Sequence, residues 1–118
     1  MEPLSPPEEE VMQAVWKTDG GFIRDFINVM STPPAYTTVA STVKNLERKG
    51  FLKSRKMANS YWYQPAVSAE TYTRNHFSHI VKDYFSNSYK EMIRFLIREQ
   101  KISSGELKEL IALIEHKA

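Results

Sequence analysis

Thr37, Thr38, Ser41, Thr42 and Asn45 recur at helical spacing, with Tyr36 just before them and Arg48 and Lys49 one turn beyond. Short hydroxyl and amide side chains let a helix come close to base edges, and cations at its end suit phosphates. Val39, Val43 and Leu46 fall on the opposite face at spacings of four and three, which predicts an amphipathic helix. Gly50 follows where a left-handed cap residue is wanted, and Arg48 and Lys49 suit the negative end of the helix dipole. Phe51 and Leu52 then lead into the strand-like run Lys53-Ser54-Arg55-Lys56. Met57-Ala58-Asn59-Ser60 turns the chain, with Asn59 the best turn former. Tyr61-Trp62-Tyr63-Gln64 returns as a second strand and Pro65 stops it. An ordinary helix and hairpin with a solvated face would show the same pattern; charge favours the nucleic-acid reading. From Ala35 to Val67 six cations stand against the single anion Glu47, a local balance of +5 in a chain of formal charge +2.

The elements that must position these residues come before them. Ser5 fits an N-cap, Pro6 the first helical position, and Glu8 closes a capping box three residues on. Val11, Met12, Val15 and Trp16 form the apolar stripe of this first helix, with Trp16 as a core anchor. Lys17-Thr18-Asp19-Gly20-Gly21 is a turn, its paired glycines freeing the backbone. Phe22, Ile23, Phe26, Ile27 and Met30 predict a second helix to about Ser31, stopped by Thr32-Pro33-Pro34. Two helices joined by a short turn, the second polar outside, complete a helix-turn-helix. With the hairpin, residues 1–67 form a winged helix-turn-helix lobe, which places its second helix in a major groove and its hairpin beside the phosphates.

Residues 68–118 read as three further helices. Ser68 caps the first, and Phe77, Ile80, Val81, Tyr84 and Phe85 make its stripe. Ser86-Asn87-Ser88 breaks it; Tyr89, Met92, Ile93, Leu96 and Ile97 form the next stripe. Ser103 with Glu106 opens the last, lined by Leu107, Leu110, Ile111 and Ile114. Three helices in about 50 residues enclose little core alone. Tyr84, Phe85, Ile93, Leu96, Leu110 and Ile114 are therefore expected at an interface with a second copy. The fold class expected is mainly α, a winged helix-turn-helix N-terminal lobe with a C-terminal three-helix dimerisation lobe.

Leu4, Glu10, Val11, Met12 and Trp16, the Tyr36-Thr37-Thr38-Val39 start, Leu46, Lys49-Gly50-Phe51-Leu52 and the Tyr61 to Pro65 strand carry a family likeness. Across nearly the whole chain the sequence resembles the penicillinase-repressor family, whose members repress β-lactamase and methicillin-resistance operons and include copper-responsive relatives. The resemblance implies a homodimeric winged-helix repressor, with a recognition helix over Thr37–Lys49 and a wing over Lys53–Tyr63. It also implies a partner, a membrane-bound sensor metallopeptidase that cuts the second lobe to induce. The Asn-Phe pair cut in some members has no counterpart near Arg94-Phe95-Leu96. The C-terminal cysteine motifs of the copper branch are likewise missing, since the chain has no cysteine.

The absence of cysteine excludes a disulfide framework and thiolate metal sites. His76 and His79 lie three apart on a helix, but no further ligand is evident, so neither metal nor cofactor is expected. No nucleophile–base constellation or phosphate loop points to an enzyme. No stretch approaches a membrane span, and the acidic MEPLSPPEEE start argues against a signal peptide, so no membrane insertion and a cytoplasmic place are expected. The leading expectation is a sequence-specific DNA-binding repressor, a homodimer on a pseudo-palindromic operator in double-stranded DNA. The alternative is a winged-helix protein-interaction module without specific DNA binding, which would not need the basic hairpin. RNA binding is disfavoured because Tyr61, Trp62 and Tyr63 lie in a strand expected to pack half inward. DNA contact falls to Tyr36, Thr37, Thr38, Ser41, Thr42, Asn45, Arg48, Lys49, Lys53, Arg55 and Lys56.

Overall fold

The computed structural model describes residues 2–117. Its elements run α1 (Pro6–Thr18), α2 (Ile23–Asn28), α3 (Tyr36–Arg48), β1 (Leu52–Met57), β2 (Ser60–Pro65), α4 (Ala69–Phe85), α5 (Tyr89–Arg98) and α6 (Ser104–Lys117). The chain is mainly helical with one small antiparallel sheet, a winged helix-turn-helix followed by three helices. It divides into two compact units between Thr73 and Arg74.

In the first unit the local chemistry of the caps sets the element ends. The Ser5 backbone N–H donates to Glu8 Oε1 at 2.8 Å, and the Glu8 N–H donates back to Ser5 Oγ at 3.4 Å, forming the capping box that starts α1. Asp19 and Gly20 take left-handed φ of 57° and 106°, and the Gly20 N–H reaches Val15 O at 3.2 Å. The second helix is shorter than its apolar spacing predicts, ending at Asn28 rather than about Ser31. Val29 and Met30 close with tight i−3 hydrogen bonds to Phe26 and Ile27, and Pro33 and Pro34 push the chain out of the helical region.

At the end of α3, Gly50 has φ +87°; its N–H donates to Glu47 O at 3.0 Å and that of Phe51 donates to Leu46 O at 2.9 Å. This is the Schellman pattern, and its apolar partners Leu46 and Phe51 are both fully buried. The core joins Val11, Met12 and Val15 of α1, Phe26 of α2, and Val39, Val43 and Leu46 of α3 to Phe51, Leu52 and Tyr63 around the hairpin. Burying such side chains is the main stabilising term, about 1.5–3 kcal/mol each.

The two strands pair from Leu52↔Pro65 to Met57↔Ser60, so the loop between them is Ala58-Asn59. The residue at positive φ there is Ala58, at 57°, although composition favoured Asn59 as the turn former. A two-residue hairpin needs a left-handed first position to match strand twist, and the register puts Ala58 in it. Pro65 sits in the last pair of the ladder rather than beyond it, and the Ala66 N–H closes onto Phe51 O at 2.8 Å. The other edge of β2 is bonded too: Gly21 and Tyr63 exchange both backbone hydrogen bonds at 2.8 Å. The glycine turn after α1 thus adds a single bridge along the outer edge of β2.

Trp16 is half-buried and donates Nε1–H to Val67 O at 2.9 Å, with its ring 5.5 Å from that of Tyr72. Tyr72 also meets Phe51 edge-on at 5.9 Å and hydrogen-bonds Glu9. The first turn of α4 therefore belongs to the first unit. The sequence pattern places the division at residue 67, ahead of this aromatic contact.

In the second unit, Ser86 and Asn87 at φ 51° and 64° end α4. Ser88 caps α5 by accepting from the Glu91 N–H at 3.1 Å. Ser103 and Glu106 form the reciprocal capping box at the start of α6, at 2.9 and 3.1 Å. Phe85 packs on Phe95 at 5.6 Å and Phe77 stacks on Tyr89 at 6.3 Å. Val81 is the one fully buried side chain of this unit among the described residues.

Candidate nucleic-acid interface

Helix α3 turns Val39, Val43 and Leu46 into the core, which leaves Tyr36, Thr37, Thr38, Ser41, Lys44 and Arg48 exposed on its other side. Thr42 is half-buried and donates its hydroxyl proton to Thr38 O at 2.9 Å, so its oxygen is left as an acceptor. Lys44, which was not among the contact residues expected from the sequence, lies in a groove with Ser5, Pro7, Glu8, Ser41, Thr42, Asn45 and Arg48. Its exposed place on the polar face is legible from the helical spacing alone. Arg24 of α2 was also missed. Its guanidinium lies 5.2 Å from the centroid of the Tyr36 ring, a cation–π contact that steadies the first residue of α3.

Two of the sequence-derived contact residues are engaged inside the lobe. Lys49 donates to Glu8 Oε1 at 2.8 Å and to Pro3 O at 3.1 Å, and its side chain is only 14% exposed. Asn45 is half-buried and donates Nδ2–H to Glu8 Oε2. Its Oδ1 accepts from Arg48, at 3.1 Å from Nε and 2.8 Å from Nη2. Glu8 itself is 5% exposed. Burial opposes its ionisation, but hydrogen bonds from Lys49, the Ser5 backbone and Asn45 outweigh that and hold its carboxyl down to about 2. The anion on α3, Glu47, is likewise taken up, accepting from the hydroxyl of Ser54 on β1.

The wing cations Lys53, Arg55 and Lys56 are all exposed, and no ion pair engages them or Lys44 among the described residues. The pleat divides them. Lys53 and Arg55 lie opposite Gln64 and Trp62 on one face, while Lys56 lies opposite Tyr61 on the other. Trp62 is held edge-on to Phe22 at 5.2 Å, Tyr63 is buried, and Tyr61 stays exposed. The three aromatics therefore form no continuous stacking platform.

An exposed polar helix, a basic hairpin beside it and anions tied up beneath define a winged-helix DNA-binding regulator. The penicillinase repressor family model matches residues 4–116, and the chain belongs to that family of transcriptional regulators. Among solved structures it is similar to a MarR family protein from Bacillus stearothermophilus, at 15% identity and TM-score 0.47, over 85% of this chain and 73% of that one. It is also similar to a transcriptional regulator from Thermotoga maritima, at 17% identity and TM-score 0.44, over 97% of this chain and 78% of that one. No curated protein matches the chain.

Among the described residues no helix is long and apolar enough to cross a membrane, and no group of three or more His, Cys, Asp or Glu gathers as a metal site.

Proposed function

We propose that this protein is a homodimeric transcriptional repressor that binds a pseudo-palindromic operator and blocks transcription by occupying it. The observation that carries the reading is electrostatic. Glu8 and Glu47, the anions hydrogen-bonded to the recognition helix and the wing, are absorbed by internal hydrogen bonds, while Lys44, Arg48, Lys53, Arg55 and Lys56 face solvent. A polyanion groove takes such a surface by releasing counterions. Thr37, Thr38, Ser41 and Thr42 sit between the cations as short readers of base edges, with Tyr36 at the leading end.

The second copy is supported by the C-terminal unit. Phe77, Tyr84, Tyr89, Phe95, Ile97, Leu110, Ile111, Leu113 and Ile114 are all exposed there, Tyr84 at 79% and Ile114 at 71%. Phe85, Ile93 and Leu96 are half-buried. A soluble chain rarely leaves that much apolar surface in water without a partner. The test is selection of bound sequences from random duplex DNA, followed by binding of a Thr38→Ala variant. Loss of about 1–3 kcal/mol on the selected sequence, with little loss on random DNA, supports base reading by α3. Equal loss on both would move Thr38 to a phosphate role, and no enrichment at all would sink the repressor reading.

A further inference from the structure

Glu8 is the one buried charged side chain among the described residues, and it sits at the first turn of α1, far in sequence from Asn45 and Lys49, which it holds. We propose that Glu8 is a positioning residue for DNA binding: through Asn45 it orients the guanidinium of Arg48 toward a backbone phosphate beside Lys44. This rests on the DNA-binding reading given above. The argument is one of polarity. An amide side chain has a donor end and an acceptor end. Glu8 Oε2 accepts from Asn45 Nδ2, so Oδ1 must be the end presented to Arg48. Turned over, the amide would set oxygen against carboxylate and N–H against guanidinium, two repulsive contacts. Glu8 therefore decides the orientation of Asn45.

Asn45 in turn fixes Arg48 by two contacts, from Nε and from Nη2. Arginine has five N–H donors, and this arrangement leaves three free on an exposed side chain. Planar donors of that kind suit a phosphate, and Lys44, Ser41 and Thr42 line the same groove. An unheld arginine would lose rotamer freedom on binding; a held one has already lost it. Glu8 itself lines the groove, but Lys49 pairs with it at 2.8 Å, so its carboxylate does not repel the phosphate it helps to seat.

The experiment measures the salt dependence of binding to a mixed-sequence duplex for the full chain and for Glu8→Gln, Asn45→Ala, Arg48→Ala and Glu8→Gln/Arg48→Ala. Thermal unfolding of each variant is followed in parallel. Arg48→Ala should lower the salt slope by about 0.9, the contribution of one phosphate. Glu8→Gln should lower it by a similar amount and weaken binding several-fold, and the double variant should lose no more than Arg48→Ala alone. Simple electrostatics predicts the opposite sign, because Glu8→Gln removes an anion and frees Lys49. A slope that rises or stays constant in Glu8→Gln, or additive losses in the double variant, overturns the proposal even if the protein melts lower. Should Glu8→Gln fail to fold, Asn45→Ala decides, since it leaves the Ser5–Glu8 cap and the Lys49 pair in place. It must reproduce the Arg48→Ala slope. An unsubstituted chain that binds duplex without salt dependence would overturn both this proposal and the DNA-binding reading.

Discussion

Glu8 serves two purposes at once, closing the cap of α1 and anchoring the C-terminal turn of α3, and the second, its ion pair with Lys49, depends on its charge. Its carboxyl is held at about 2 against an ordinary 4.5. A depressed acid contributes stability that is fully present above the unfolded value and is lost as pH falls toward the folded one. Acidification from about pH 5 to 2 should therefore cost on the order of 2–3 kcal/mol at this residue. Urea unfolding across that range should show a steeper loss in the parent chain than in Glu8→Gln; parallel curves would contradict the assignment. Glu106, lowered by its hydrogen bonds to Ser103, titrates in both chains and drops out of the difference. Two glycines make a second residue-scale pair. Gly20 and Gly50 both have positive φ, but a Cβ at Gly20 would meet Tyr63 O at 3.0 Å, whereas Gly50 faces open space. Gly50→Ala should cost about 1–2 kcal/mol from the dihedral alone. Gly20→Ala should cost more, because the wing backbone must also move, and equal midpoints in denaturant would refute this. The caps at Ser5, Gly50 and Ser103 were legible in the sequence because each is decided within a few residues. The Glu8–Asn45 and Gly21–Tyr63 contacts were not, because they join positions 37 and 42 apart that only the packed core brings together.

At the scale of elements, the hairpin followed from strand-forming residues on either side of a turn, but the face each cation takes depends on register. Pairing Arg55 with Trp62 puts Lys53 and Arg55 on one side and Lys56 on the other. Charge counts cannot reveal that division. All three side chains are long and exposed, so replacing them together with alanine should reduce the salt slope by about 0.9 for each phosphate lost, on any DNA sequence. An unchanged slope would remove the wing from the interface. The first turn of α4 offers a different check. Tyr72 packs against Trp16 and Phe51, so a fragment ending at Thr73 keeps a contact that one ending at Val67 loses. Burying a large side chain is worth roughly 1.5–3 kcal/mol. The longer fragment should be more stable by about that amount in thermal or urea unfolding, and equal stabilities would mean that Tyr72 contributes nothing to the winged lobe.

For the whole molecule the question is what covers the apolar side chains of the C-terminal unit. The stripes were readable from spacing, and the three helices form where those stripes and their caps place them. Length added that three helices in about 50 residues enclose little core, and beyond Val81 the apolar side chains of this unit remain half-exposed or exposed. If a second copy covers Tyr84, Phe85, Ile93, Leu96, Leu110 and Ile114, the dimer carries two recognition helices. On a pseudo-palindromic site these reach half-sites about one turn apart, roughly 34–36 Å. Leu110→Lys should then separate the copies, because a cation buried without a partner costs several kcal/mol. The winged lobe should be untouched, since its core contains no residue of α6. Sedimentation at micromolar concentration should find a dimer for the parent chain and a shift toward monomer for Leu110→Lys. Operator binding should weaken much more than binding of one half-site, because the second contact is no longer held at high effective concentration. A parent chain that sediments as a clean monomer yet binds the full operator tightly would leave the exposed stripes without this purpose and the two-fold model without its basis.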